Sequence, residues 1–186
     1  FPAKMLADLG GKPLFVRTVE QARKARSLDA VLVATDDTRI AEAAAAHGIP
    51  CCMTRADHPS GTDRIAEAAA TLSAYVLINV QGDEPFIDAV SLEKIIDVFK
   101  ADTEREIDLA SLMTPISEWE EIANPNTVKV IVDNQNFALY FSRSPIPYPR
   151  DEEVEATYYK HKGIYAFRKR ALMDFKRLPM LTLEAK

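Results

Sequence analysis

The 186-residue chain has only two cysteines, and Cys51 and Cys52 are adjacent. Neighbours in a strand point to opposite faces, so a bridge between them would be strained. No CxxC spacing exists, which removes the zinc and dithiol motifs that need one. Two unbridged thiols fit a reducing cytosol, and both are expected to pack in the core. Six glycines and eleven prolines are too few for a linker or a fibrous chain. No apolar run approaches the ~18 residues of a membrane span. Dense Lys/Arg runs are also lacking: 23 basic residues face 28 acidic ones, a net charge of −5. Neither nucleic acid nor a membrane is therefore an expected partner. No signal-peptide pattern is visible, and the expected location is cytoplasmic.

Hydrophobic residues at 47% and charged residues at 27% suit one globular domain with a sizeable core. Residues 13–26 read as a helix that opens on Pro13 and closes on basic residues. Ala30–Ala34, wholly apolar, reads as a strand buried on both faces. Thr35-Asp36-Asp37 caps an alanine-rich helix that stops at Gly48, and Ile49–Thr54 is the next strand. Residues 55–62 form a polar loop, and Ser60-Gly-Thr-Asp63 has the capping-box pattern of a helix start. Tyr75–Val80 is a buried strand running into Gln81-Gly82-Asp83-Glu84-Pro85, with a helix expected from about Asp88 to Lys100.

After a strand at Ile107–Met113 the texture changes. Val128–Val132 and Phe137–Phe141 flank the turn residues Asp133–Asn136, the pattern of a β-hairpin. A proline-stiffened loop follows at Ser144–Arg150, then a strand at Lys162–Phe167 and a helix over 169–178. Alternating strands and helices imply an α/β fold, mostly parallel in its central sheet, with helices on both faces and an added antiparallel hairpin. Ligands of such sheets bind beyond the carboxyl ends of the strands. The loops 35–37, 55–64, 81–85 and 114–126 are therefore the ones that matter.

Asp83 directly follows a buried strand, where a carboxylate could hold Mg²⁺ or simply cap the next helix. The 55–64 loop sets Ser60, Gly61 and Thr62 at a helix start between Arg55 and Arg64, a place for an anion or an ordinary capped loop. His161 and Tyr165, four apart on a strand, share one face, either as a donor pair for an acid sugar or as a structural pair. Arg143 reads as a carboxylate ligand or a surface charge, Lys4 as a solvated lysine, and Trp119 as a packing residue. Gly10-Gly11-Lys12 is no Walker A loop, because Leu6 stands where its first glycine belongs and Pro13 follows the lysine.

Taken together, several segments resemble one family. They are Phe1–Lys4, Gly10–Leu14, Ala34–Asp36, Met53–Arg64, Asn79–Pro85, Asn124–Val130, Ala138–Arg143 and His161–Tyr165. The chain resembles the 3-deoxy-manno-octulosonate cytidylyltransferases, the CMP-Kdo synthetases. That resemblance implies a Rossmann-like nucleotidyltransferase fold and a cytoplasmic homodimer that makes CMP-Kdo from CTP and Kdo for lipopolysaccharide. Residues 1–115 would form the nucleotide-binding part, and 116–186 the sugar-binding and dimerisation part, of a single domain.

By the same resemblance Lys4 neutralises phosphate charge, Arg64 faces the reacting groups, and Asp83 binds Mg²⁺. Arg55, Ser60, Gly61 and Thr62 would frame cytosine and ribose. Gln81, Arg143, His161, Tyr165 and Glu184 would hold the Kdo carboxylate and hydroxyls. The family carries a glycine where Ala3 stands, a first strand with a phosphate loop ahead of it, and a second Mg²⁺-binding Asp further on. The chain is accordingly expected to be a piece of a longer enzyme. Rival readings are a relative acting on 8-amino-Kdo or a sialic acid, and a truncated, non-catalytic nucleotide-binding module.

Overall fold

Side-chain caps decide where three of the helices begin. The computed structural model describes residues 3–150, 156–175 and 177–179. The chain divides into two units, one made of Phe1–Ala110 with Tyr165–Lys186 and the other of Ser111–Ile164. In chain order the elements are α1 (Leu14–Ala22), β1 (Val33–Thr35), α2 (Thr38–Ala46), β2 (Cys51–Met53), α3 (Gly61–Ala70), β3 (Val76–Asn79) and α4 (Ala89–Ala101). There follow β4 (Leu109–Ile116), α5 (Trp119–Ala123), β5 (Lys129–Val132), β6 (Ala138–Ser142), β7 (Tyr158–Arg168) and α6 (Lys169–Phe175). The carboxylate of Asp37 starts α2 by accepting from the Arg39 amide at 2.9 Å. Ser60 starts α3 by accepting from Asp63 N at 3.2 Å, and Asp88 starts α4 through Ser91 N at 2.7 Å. Each bond satisfies an amide that the helix itself leaves without a partner. The caps of α2 and α3 lie where the sequence places them, whereas α4 is capped by Asp88 and not by Asp83.

In the first unit β1 and β2 are parallel, with Val33 opposite Cys51 and Thr35 opposite Met53. There β3 runs antiparallel to the end of β7, Leu77 opposite Phe167 and Asn79 opposite Tyr165. In the second unit β5 pairs antiparallel with β6, and Lys129 also lies opposite Lys160 of β7. The expected hairpin is present, and its turn is locked by Asp133, whose carboxylate accepts from Gln135 N at 2.8 Å and Phe137 N at 2.9 Å. Antiparallel pairing extends beyond that hairpin, because β3 runs antiparallel to the long strand β7, with which β4 also pairs.

Two apolar clusters form among the described residues of the first unit. Phe15, Val16 and Val19 of α1 pack with Ala44 and Ile49, while Ala66 and Ala69 of α3 pack with Phe167 and Leu172. Leu172 is wholly buried, which by transfer is worth about 1.5–3 kcal/mol. Two packing expectations need correction. Cys51 is exposed and Cys52 only half-buried, since β2 is three residues long and its faces are thinly covered. Trp119 is 59% exposed, because α5 is a five-residue helix that buries only Ile122. The indole edge nevertheless meets Tyr158, with ring centroids 6.4 Å apart. Among the described residues no helix is long and apolar enough to cross a membrane.

Asp102 ends α4 and ties it to β7. Its carboxylate accepts from Glu106 N and Ile107 N, each at 2.9 Å, and from the Arg168 guanidinium. Burial pushes this carboxyl up, but the Arg168 hydrogen bond and the two amides outweigh it and the net shift is downward. Its contribution to stability is thus present above the usual aspartate range and lost as pH falls through the lowered folded value. Asp102→Asn is expected to lower the urea midpoint at about pH 7 and to show a smaller deficit at about pH 3. An equal deficit at both pH values would put the loss somewhere other than the carboxylate's charge.

Candidate active site

The first unit gathers charged side chains where strands end. Beyond β1 and β2 the backbone stays knitted, since Thr54 N donates to Thr35 O at 2.9 Å and Asp37 N to Thr35 Oγ1 at 3.1 Å. Into this junction α3 sends Arg64. Its Nη1 reaches Thr54 Oγ1 at 2.7 Å, Asp36 Oδ1 at 3.1 Å and the Arg55 carbonyl at 3.3 Å. One guanidinium, on the first turn of a helix, thereby fastens the loops that leave two strands. The Arg64 side chain keeps 21% of its exposure, so the charge still faces outward.

The loop after β3 is held from below. Thr18 of α1, itself buried, donates through Oγ1 to the Gly82 carbonyl at 2.8 Å. A side chain at position 82 would collide with Met5, whose Sδ lies 2.9 Å from the point where a Cβ would stand. The absent Cβ lets the short 3-10 turn Lys4–Leu6 settle against the loop. That approach brings Lys4 Nζ within 2.6 Å of Asp83 Oδ2. Both side chains remain partly exposed, at 53% and 32%. An ion pair in that setting is weak, so either partner can turn to a ligand at little cost. Ala3, just ahead of this turn, has a left-handed backbone with φ +57°, where glycine is unstrained.

Gln81 Nε2 donates to Asn79 Oδ1 at 3.3 Å, and its amide stands beside Gly61, 3.9 Å from where a Cβ there would be. The start of α3 and the end of β3 are therefore neighbours. Arg55 is exposed and pairs loosely with Asp57 at 3.5 Å and Glu67 at 3.7 Å. His58, missed as a site-shaping residue, bonds Glu67 and holds that carboxyl below its ordinary range. Tyr165 lies opposite Asn79 in the ladder, and burial pushes its phenol up. Lys4, Arg55, Ser60, Gly61, Thr62, Arg64, Gln81, Asp83 and Tyr165 all belong to this unit.

Arg143 and His161 belong to the second unit. Arg143 Nη1 donates to the Pro125 carbonyl at 2.8 Å, and the residue is exposed. The Ser111 hydroxyl lies 2.8 Å from His161 Nε2, 2.8 Å from the Ile164 carbonyl and 3.0 Å from that of Lys162. Its single hydrogen goes to a carbonyl, so Nε2 carries the proton and donates to Ser111. Burial pulls the His161 pKa down and favours this neutral ring, which Phe141 meets edge-on at 5.0 Å. Ser111 carries no sequence signal beyond its place in a strand. Glu184 lies outside the described residues.

Cations and accessible carboxylates beyond the strand ends of an α/β frame suit chemistry on a phosphate-bearing substrate. The chain belongs to the cytidylyltransferase family, whose model matches residues 1–185. It is 52% identical over 185 residues to the 3-deoxy-manno-octulosonate cytidylyltransferase of Flavobacterium johnsoniae, covering 100% of this chain and 76% of that relative. The namesake from Syntrophotalea carbinolica is 42% identical over 192 residues, covering 99% of this chain and 76% of its own length. Among solved structures, a CMP:2-keto-3-deoxy-manno-octonic acid synthetase complexed with CTP aligns with a TM-score of 0.94 at 43% identity. That alignment covers 100% of this chain and 75% of the other. The 4-diphosphocytidyl-2C-methyl-D-erythritol synthase of Anaerococcus prevotii, at 14% identity and a TM-score of 0.59, shares the fold; the alignment covers 97% of this chain and 75% of that one.

Arg64→Met removes three contacts at once while leaving the buried core untouched. It is expected to cut cytidylyltransferase turnover by about a hundredfold through misplacement of the strand-end loops. Steady-state kinetics beside a thermal melt checks this, and near-normal turnover would reduce Arg64 to a surface charge.

Proposed function

We propose that the chain transfers CMP from CTP to the anomeric hydroxyl of Kdo, releasing pyrophosphate, as a step toward lipopolysaccharide. One observation carries the reading: whole-chain likeness, at 43% identity, to a synthetase solved with CTP. The sugar hydroxyl oxygen attacks the α-phosphorus, the bond to the bridging oxygen breaks, pyrophosphate leaves, and the hydroxyl proton is lost. Phosphoryl transfer of this kind depends on positioning and on cations near the developing charge. In this reading Lys4 swings from Asp83 to the phosphates, an exchange made easy by the exposure of the pair. Arg64 faces the reacting groups. Arg55, Ser60, Gly61 and Thr62 frame cytosine and ribose at the start of α3, where backbone amides can donate to a base edge.

Mg²⁺ would be held by Asp83, and when bound it would offset charge on the phosphates. The fit is chemical: such an ion takes one or two carboxylates with phosphate oxygens, and the Asp83 carboxylate is accessible. Gln81, Arg143, His161 and Tyr165 would hold the carboxylate and hydroxyls of Kdo, joined by Glu184. Arg143 supplies a planar fork suited to a carboxylate, and neutral His161 a ring for hydroxyl contacts.

The reading extends to a cytoplasmic homodimer. Strand β6 supports the pairing: Leu139, Tyr140 and Phe141 are exposed, and no charged residue guards the run Phe137–Ser142. Leu139→Lys is expected to shift sedimentation from dimer to monomer, and an unchanged dimer would exclude this strand from the contact.

Pyrophosphate release from CTP and Mg²⁺, with and without Kdo, tests the activity. Kdo-dependent release that UTP does not support is the expected result, and CTP binding without turnover would overturn it. Asp83→Asn is expected to abolish Mg²⁺-dependent release with the melting curve unchanged. Near-normal turnover in that variant would take Asp83 out of the metal role.

A further inference from the structure

Among the described residues Lys129 is the largest side chain with no measurable exposure, and it carries a charge. It sits in β5, an otherwise apolar strand, opposite Ser142 of β6 and Lys160 of β7. Its ammonium donates to three backbone carbonyls: Thr127 at 2.6 Å, Arg143 at 2.6 Å and Asn124 at 3.0 Å. A protonated amine has three N–H groups, and each finds an acceptor. Two of those acceptors straddle Pro125 in the turn 124–127. The third is the backbone of Arg143, whose guanidinium donates to the Pro125 carbonyl at 2.8 Å. Lys129 therefore grips both ends of one contact. It fixes the carbonyl that orients the guanidinium and also the backbone from which that guanidinium grows.

We propose that Lys129 is a positioning residue for the acid sugar, locking the 124–127 turn to Arg143 so that its fork meets the sugar carboxylate at a set angle. The inference rests on the reading of Arg143 given above. Bidentate recognition of a carboxylate depends on the plane of the fork. Loosening Pro125 and the Arg143 backbone together lets that plane wander. The loss falls on sugar binding and leaves CTP binding alone.

Lys129→Met keeps the aliphatic length and removes the three donors, and Lys129→Gln keeps two N–H groups on a shorter stem. KM for Kdo is expected to rise about tenfold in Lys129→Met and less in Lys129→Gln, with KM for CTP within about twofold of normal. In an Arg143→Ala background Lys129→Met is expected to add nothing to KM for Kdo, since both changes spoil one contact. Equal rises for both substrates, or full additivity, would make Lys129 a folding residue and overturn the proposal. Failure of both variants to fold would do the same. An Arg143→Ala enzyme with normal KM for Kdo would remove the assignment of Arg143 itself, a result distinct from an effect of Arg143 that Lys129 does not share.

Discussion

The guanidinium of Arg64 is the constraint on which the strand-end geometry of the first unit depends. Parallel strands β1 and β2 are three residues each, too short to hold their following loops by ladder bonds alone. Arg64 replaces the missing ladder with contacts to Asp36, Thr54 and the Arg55 backbone. The Ser60 cap sets where α3 starts, and so where Arg64 projects four residues later. Shifting the helix start by one residue would rotate that side chain by about 100° and undo the junction. The cap and the cation act as one device.

Two kinds of ion pair divide the labour in the first unit. Asp102 and Arg168 are buried at 6% and 15% side-chain exposure and join secondary elements. Lys4 and Asp83 are exposed and join a turn to a loop. The buried pair gains from low dielectric and from two supporting amides, and it resists opening. The exposed pair competes with water throughout. A site needs groups that can change partners, while a frame needs groups that cannot.

Much of the architecture was legible in the sequence because capping chemistry is local. Asp37, Ser60 and Asp88 each announced a helix within three residues of themselves, and Asp133 announced the hairpin turn. Features set by tertiary cover were not legible. Cys51 looks like core and is exposed, since the short strand that carries it has little packed over it. The five residues of α5 are too few to show a period, and Trp119 looked like packing. Lys4, Arg64 and Asp83 stand out through their motifs, yet the Thr18–Gly82 bond beneath the loop that carries Asp83 leaves no pattern in the chain. Lys129 stands as a single charge within Val128–Val132, and its meaning lies in three backbone carbonyls, two from the turn just before it and one from Arg143.

The three carbonyls around Lys129 satisfy its hydrogen bonds without cancelling its charge. Dipole fields fade faster with distance than the field of a net charge, so a positive monopole persists beneath the Arg143 surface. Burial, and then the charge of Arg143, lower the proton affinity of Lys129. An anion docked on Arg143 would reverse part of that second effect. Capture of the anion and retention of a proton one layer down are therefore thermodynamically linked, and each tightens the other.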